Sequence, residues 1–240
     1  MKKNTYILTL LLLVLSLASC SIDNYDAPDA QVKGSLIDEK TGELVGQDIQ
    51  ECGLTVVEQG FENPENQGWR IKNTGEYENN MIFAATYNMR YENGNCFPFS
   101  EDNVVLKRGG NTKDFKVTPF IRILNPSVTR QGDKIVAKFS VEGGKPGVKL
   151  SELQLFAFSD MWVGHSIRFN LTSGTDHQSF SPSVDIDSSK QYTLEIDLGK
   201  DKSSFKYTGK NYYFRIGALA DVSGVGTVRF NYGPLVQIAF

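Results

Sequence analysis

The sequence predicts an all-β protein of two β-sandwiches in tandem, placed behind an N-terminal export signal. Apolar residues alternate with polar ones in almost every segment and nowhere sustain a helical period. Turn-forming clusters separate these segments, in a chain with 22 glycines, 8 prolines and 11% aromatics, a composition that suits turn-rich β structure rather than disorder. The alternating segments also fall into two groups, each of the roughly 100 residues that a sandwich needs.

The first elements are the export signals. Lys2 and Lys3 precede the apolar run Ile7 to Leu17, which is shorter than the ~20 residues that span a bilayer but suits a signal-peptide core. Leu17-Ala18-Ser19-Cys20 ends it and resembles the lipobox of bacterial lipoproteins. That resemblance implies cleavage before Cys20, diacylation of its thiol with fatty acids such as palmitate, and anchoring to a membrane. Several acyl chains hold where one binds only marginally. Residues 1–19 are thus expected as signal peptide and 20–30 as a lipidated tether, polar and carrying Asp23, Asp26, Asp29 and Pro28. Nothing after Cys20 is apolar and long enough to cross a membrane.

The first sandwich is assigned to residues 31–123. Val32, Gly34 and Leu36 share one strand face, and Trp69 and Ile71 share another, opposite Arg70 and Lys72. Phe83, Ala85, Tyr87, Met89 and Tyr91 line one face of an expected long strand. Phe115 and Val117 start a strand running toward Ile121 and Ile123, where Pro119 marks an edge or an exit from the domain. The boundary is placed near Leu124-Asn125-Pro126, and residues 124–240 form the second sandwich. Its expected strands are Ile135 to Val141, Leu153 to Phe158 (apolar on both faces), Val163 to Leu171, Tyr192 to Leu198, Tyr212 to Leu219 and Val236 to Phe240. Gly143-Gly144-Lys145-Pro146-Gly147, Ser173-Gly174, Lys200-Asp201-Lys202 and Gly224-Val225-Gly226 supply turns between them.

Charge and motifs narrow the function. Loss of Lys2 and Lys3 with the signal peptide takes the formal charge from −3 to −5, so no basic face offers itself to nucleic acid. The chain has two histidines. His165 alternates with Val163 and Ile167 and reads as a hydrogen-bonded core or interface residue, while His177 lies in a polar stretch and reads as solvated. No nucleophile elbow, zinc-spaced ligand set or phosphate loop is present. The expectation is a non-catalytic protein without cofactor or metal; Asp185 and Asp187 read as a charged strand edge. A disulfide between Cys52 and Cys96 and a pair of buried thiols are both compatible with an exported chain.

Aromatic side chains are the better lead, because flat sugar faces pack on Trp and Tyr rings while nearby polar groups take the hydroxyls. Trp162 with Asp160 in a strand connection, Phe97 and Phe99 in Phe97-Pro98-Phe99, and Tyr232 near the last strand are the candidates. Each also has an ordinary role open to it, in capping a core or packing the domain junction.

Several segments resemble known domains. Gln31 to Leu44, with Asp38 ahead of Thr41-Gly42-Glu43, resembles the opening hairpin of transthyretin-like, carboxypeptidase-regulatory-like domains; Asn80 to Tyr87 and Phe115 to Phe120 resemble their later strands. Tyr212 to Ala218 with the following glycine loop resembles the F strand of fibronectin type III and immunoglobulin-like domains. In this order, behind a lipobox, the pieces resemble a family of Bacteroides surface lipoproteins of unknown function linked with starch-utilisation-like (Sus-like) glycan uptake. The resemblance implies an outer-membrane, cell-surface location. It also implies a glycan as ligand, with a Sus-like transporter or other surface lipoproteins as partners. The alternative it leaves open is an assembly protein that docks onto such a transporter.

Overall fold

A computed structural model describes residues 26–240. The signal peptide and the lipidation expected at Cys20 lie outside the described residues. Within them the secondary structure is all strand, in two sandwiches that follow one another along the chain.

In the first sandwich β1 (Ala30–Asp38) lies between β4 (Glu76–Ile82), antiparallel, and β7 (Gly109–Thr112), parallel, with β8 (Phe115–Val117) beside its second half. The facing sheet runs β3 (Asn66–Arg70), β2 (Gly53–Glu58), β5 (Thr86–Tyr91), β6 (Phe99–Val105). Val32 and Leu36 of β1 meet Leu54, Val56, Tyr87, Met89 and Tyr91 in a closed core, as period-two alternation requires. Gly34 shares that face, and only glycine fits there because a Cβ would sit 1.7 Å from the Lys113 carbonyl oxygen.

The long strand expected through Phe83 and Tyr91 is instead two. β4 ends at Ile82, and the chain turns a corner at 83–85 to join the other sheet as β5. Phe83 is therefore exposed, and the Ala84 amide donates to the Asp29 carboxylate at 2.8 Å instead of to a strand partner.

β8 stops at Val117 and the chain crosses at Pro119. β9 (Ile121–Gln131) then pairs with β10 (Lys134–Gly143) of the second sandwich from its first residue. The Leu124-Asn125-Pro126 signal falls inside β9, where it marks a bulge with Asn125 at φ 47°. β13 (Tyr192–Asp197) completes this sheet. The facing one runs β12 (His177–Asp185), β11 (Lys149–Phe158), β14 (Asn211–Asp221), with β15 (Asn231–Tyr232) and β16 (Val236–Ala239) along the far edge of β14. β11 is buried on both faces. Leu153, Leu155 and Ala157 enter the main core, while Phe156 packs outward on Val163 and Phe230.

Val163 to Leu171 forms no strand. Gly164 closes a turn on the Ile167 carbonyl at 3.0 Å, and the amides of His165 and Ser166 bond to side chains instead of a neighbouring strand. Its alternation is satisfied piecemeal, with Val163 against Phe156 and Phe169 against Phe158 and Phe205. His177, expected in a loop, opens the exposed strand β12. Among the described residues no helix is long and apolar enough to cross a membrane.

Candidate functional site

The polar chemistry of the molecule collects where the sandwiches meet. It starts at the Thr41-Gly42-Glu43 turn: Asp38 accepts from the Lys40 amide at 3.0 Å and the Thr41 hydroxyl at 3.2 Å, and Gly42 takes the φ of 76° that closes the turn. The same carboxylate receives a two-pronged bond from Arg122 at the start of β9, at 2.5 and 2.7 Å. Both side chains are buried. Burial pushes the Asp38 carboxyl up, but the Arg122 and turn hydrogen bonds outweigh it and hold it below the usual carboxylate range.

Asn95 and Asn231 stitch the next layer. The Asn95 amide group donates to the carbonyls of Gly46 (2.8 Å) and Phe230 (3.1 Å), one in each sandwich. Asn231 donates to the Asn95 carbonyl at 2.7 Å and accepts from the Ile121 amide at 2.9 Å. The backbone joins in as well, through Gly94 to Thr227 at 3.0 Å and Arg229 to Gly94 at 2.8 Å.

Deeper still, Arg215 of β14 is fully enclosed. It donates to the carbonyls of Gln47 (2.9 Å) and Asn73 (2.8 Å) in the first sandwich and of Gly233 (3.3 Å) in the second, and it lies 4.2 Å from the centre of the Tyr232 ring. Burial lowers its pKa to about 10, which leaves it charged at neutral pH. Asp48 faces it across Tyr232. It accepts from the Ser166 amide at 2.9 Å, the Ser166 hydroxyl, and the Tyr232 hydroxyl at 3.2 Å. Burial raises this carboxyl too, and again the Ser166, Gln50 and Tyr232 hydrogen bonds win and keep it low. Glu51 receives Arg229 at 2.9 Å and sits 3.2 Å from the His165 ring.

Above this floor lies a groove of about 560 Å³ between the sandwiches. Its polar wall carries exposed Thr41, Glu43 and Thr74, and behind them buried Asn73 donates to the Met161 carbonyl at 2.8 Å. Its apolar rim is Leu44, Met161 and Leu235, each 38–46% exposed, around the Tyr232 ring.

The predicted residues divide. Tyr232 lines the groove. The loop bearing Asp160 and Trp162 is brought to it, because the His165 amide donates to the Tyr232 hydroxyl at 3.0 Å. Trp162 is exposed beside Met161, and its amide bonds to Asp160 at 3.3 Å. Phe97 lies elsewhere in the junction, edge-on to Phe120 at 4.9 Å and under Lys145. Phe99 belongs to the first sandwich, stacked on Tyr91 at 5.4 Å, so neither joins the groove. Asp185 and Asp187 both face solvent, and Asp187 is occupied by Ser189. Cys52 and Cys96 are buried free thiols, the latter 3.4 Å from Asn95 Oδ1. Burial pushes Cys52 up to about 11 and lifts Cys96 well above the thiol range. Arg215, Asn73, Arg122 and the rim residues escaped sequence reading. Only Arg215 carried a signal, as the one charge inside Tyr212-Tyr213-Phe214-Arg215-Ile216-Gly217-Ala218.

Comparison with known proteins divides the chain at the same crossing. Residues 30–118 match the "Protein of unknown function (DUF3823) N-terminal domain" and residues 121–237 the "Domain of unknown function (DUF3823_C)". The chain belongs to the DUF3823 family. A crystal structure from Bacteroides uniformis, named "putative carbohydrate binding protein", shares 56% identity with it at a TM-score of 0.85, covering 89% of this chain and all of the other. DUF3823 proteins from Bacteroides ovatus (19% identity, TM-score 0.68, 88% of this chain and 99% of the other) and Parabacteroides merdae (18%, 0.68, 89% and 100%) share the fold. No curated protein matches the sequence. The tandem β-sandwich expected from alternation is therefore a property of the DUF3823 fold, and the junction belongs to its architecture.

Proposed function

We propose that this protein is a non-catalytic surface lipoprotein that holds a glycan in the groove between its sandwiches, on behalf of a polysaccharide-uptake system at the outer membrane. The composition of the groove carries the reading. Exposed Leu44, Met161 and Leu235 offer apolar contacts around the Tyr232 ring, with exposed Trp162 next to Met161 in the chain, and exposed Thr41, Glu43 and Thr74 bring polar groups to the wall. Sugars need this pairing, since their C–H faces pack on apolar side chains while their hydroxyls take hydrogen bonds. The naming of the 56%-identical relative for carbohydrate binding supports the same reading. The groove floor is braced by Arg215 and Asp48, so it is rigid before any ligand arrives, which reduces the ordering cost of binding.

The test is affinity electrophoresis and calorimetry against a broad polysaccharide panel, with Trp162→Ala and a Met161→Ala/Leu235→Ala double variant. A ligand bound at least tenfold more weakly by the double variant, a loss of about 1.4 kcal/mol, supports the groove. Absence of binding across the panel, with stoichiometric co-purification of an outer-membrane transporter or another surface lipoprotein, would replace it with the docking role.

A further inference from the structure

A second set of exposed apolar side chains lies at the opposite end of the first sandwich. Phe61, Met81, Phe83 and Val105 are 41–76% exposed, and none of them lines the groove. Both sheets contribute. Phe61 sits in the loop between β2 and β3, Met81 one residue before the end of β4, Phe83 at the corner, and Val105 at the last position of β6. Local bonds gather these segments: Gln59 donates to the Thr86 carbonyl at 2.8 Å, Thr86 pairs with Val105, Leu106 donates to the Ala85 carbonyl at 2.9 Å, and Tyr87 to the Phe83 carbonyl at 2.8 Å.

The chain enters the fold at this same end. Asp29 is fixed there three times, by the Ala84 amide (2.8 Å), the Gly109 amide (2.9 Å) and Arg108 (2.7 Å). From Ala30, β1 runs nine residues to Asp38 at the junction, about 26 Å at ~3.3 Å per residue. Upstream, only five residues separate Asp26 from Cys20, a reach of at most about 22 Å over six chain steps. A lipid on Cys20 therefore keeps this end, and not the groove, next to the bilayer.

We infer that Phe61, Met81, Phe83 and Val105 form a membrane-contacting foot that enters the interfacial zone of the bilayer holding the anchor. The charge around it fits apolar contact: Asp29, Glu62 and Glu65 outnumber Lys107 and Arg108, the last already paired with Asp29, so no basic patch draws the foot to anionic headgroups. Its affinity adds to that of the acyl chains and does not replace them. With the foot seated, β1 points away from the surface and the groove stands clear of the headgroups. The inference rests on lipidation of Cys20 and is independent of glycan binding.

The test uses the full lipidated protein in phosphatidylethanolamine–phosphatidylglycerol vesicles, with Met81→Cys carrying an environment-sensitive NBD label. Tyr207→Cys is the control, an exposed position in the loop after β13, near the end of the second sandwich remote from the junction. The native Cys52 and Cys96 are buried and stay unlabelled. The expected result is a blue shift at position 81, with quenching stronger by lipids brominated near the glycerol end than near the methyl end. Position 207 should show neither. High salt should leave the signal in place, and a Phe61→Glu/Phe83→Glu background should abolish it without changing the melting temperature. A label at 81 as water-exposed as that at 207, on protein whose mass includes the acyl chains, overturns the foot. Protein without acyl mass overturns the anchor first and the foot with it.

Discussion

Replacing Arg215 with methionine should loosen the junction and little else. Methionine fills the aliphatic part of the site and retains contact with Tyr232, but it leaves the carbonyls of Gln47 and Gly233 without the donors now at 2.9 and 3.3 Å, while that of Asn73 keeps the Gln47 amide at 3.1 Å. A buried polar group stripped of its partner costs about 1–3 kcal/mol, so the two together cost about 2–6. Methionine no longer needs a guanidinium taken out of water, which offsets part of this, and the net loss should be near 3 kcal/mol. For a chain of this length each 1 kcal/mol moves Tm by about 2–4 °C, giving a drop of roughly 6–12 °C. Urea unfolding followed by fluorescence checks it, because Trp69 lies in the first core and Trp162 on the junction loop. The Trp162 signal should move first, as the loss falls on the contact between sandwiches. Arg215→Lys should lie between the two, since one ammonium cannot match the planar fork that spans both carbonyls. A methionine variant within about 1 kcal/mol of the parent, with both tryptophans still changing together, would refute the assignment of Arg215 as the brace of the junction.

Gly46→Ala should destabilise comparably, because its Cβ would lie 2.1 Å from an Arg215 nitrogen and 3.0 Å from the Asn73 carbonyl oxygen; thermal melts of single and double variants with Arg215→Met should show sub-additive losses. Stability should fall in acid. Asp38 and Asp48 both have folded pKa values below the unfolded ~3.9, so their contribution is complete above that value and is lost as pH drops through the lower folded ones. Asp38→Asn should reduce the slope of stability against pH below pH 4 by up to about 1.4 kcal/mol per unit, and an unchanged slope would remove Asp38 from the account. Thiol reagents at pH 8 should label neither Cys52 nor Cys96 in the native protein and both after denaturation without reductant. Failure to label them in denaturant would mean they are bridged.

The cores were legible because alternation reports burial directly: Val32 and Leu36, then Tyr87, Met89 and Tyr91, then Ile135, Ala137, Phe139 and Val141 all face inward. Alternation carries no record of which sheet a strand joins, so the corner at 83–85 read as continuous strand. It also misled at Val163 to Leu171, where side chains bury one at a time against different neighbours. The Thr41-Gly42-Glu43 turn was readable, but the ion pair it makes was not: Asp38 and Arg122 are 84 residues apart, and no local pattern links them. The groove has the same character, since Leu44, Asn73, Met161 and Leu235 come from four distant segments. Of the aromatic candidates the structure puts Tyr232 on the groove and the Trp162 loop beside it, with Phe97 and Phe99 packed elsewhere, because composition does not distinguish a ring that lines a groove from one that fills a core.

β1 has a mechanical consequence. It is flanked by β4 on one side and by β7 and then β8 on the other, and it runs from the chain's entry at Ala30 to the Asp38–Arg122 pair. A pull on the entry while the second sandwich is held therefore loads β1 along its length. Its ladder hydrogen bonds lie across that direction and must yield together in shear instead of one after another as in a zipper. Tension applied from the N-terminal side is thus spread over the whole first sheet before it reaches the junction.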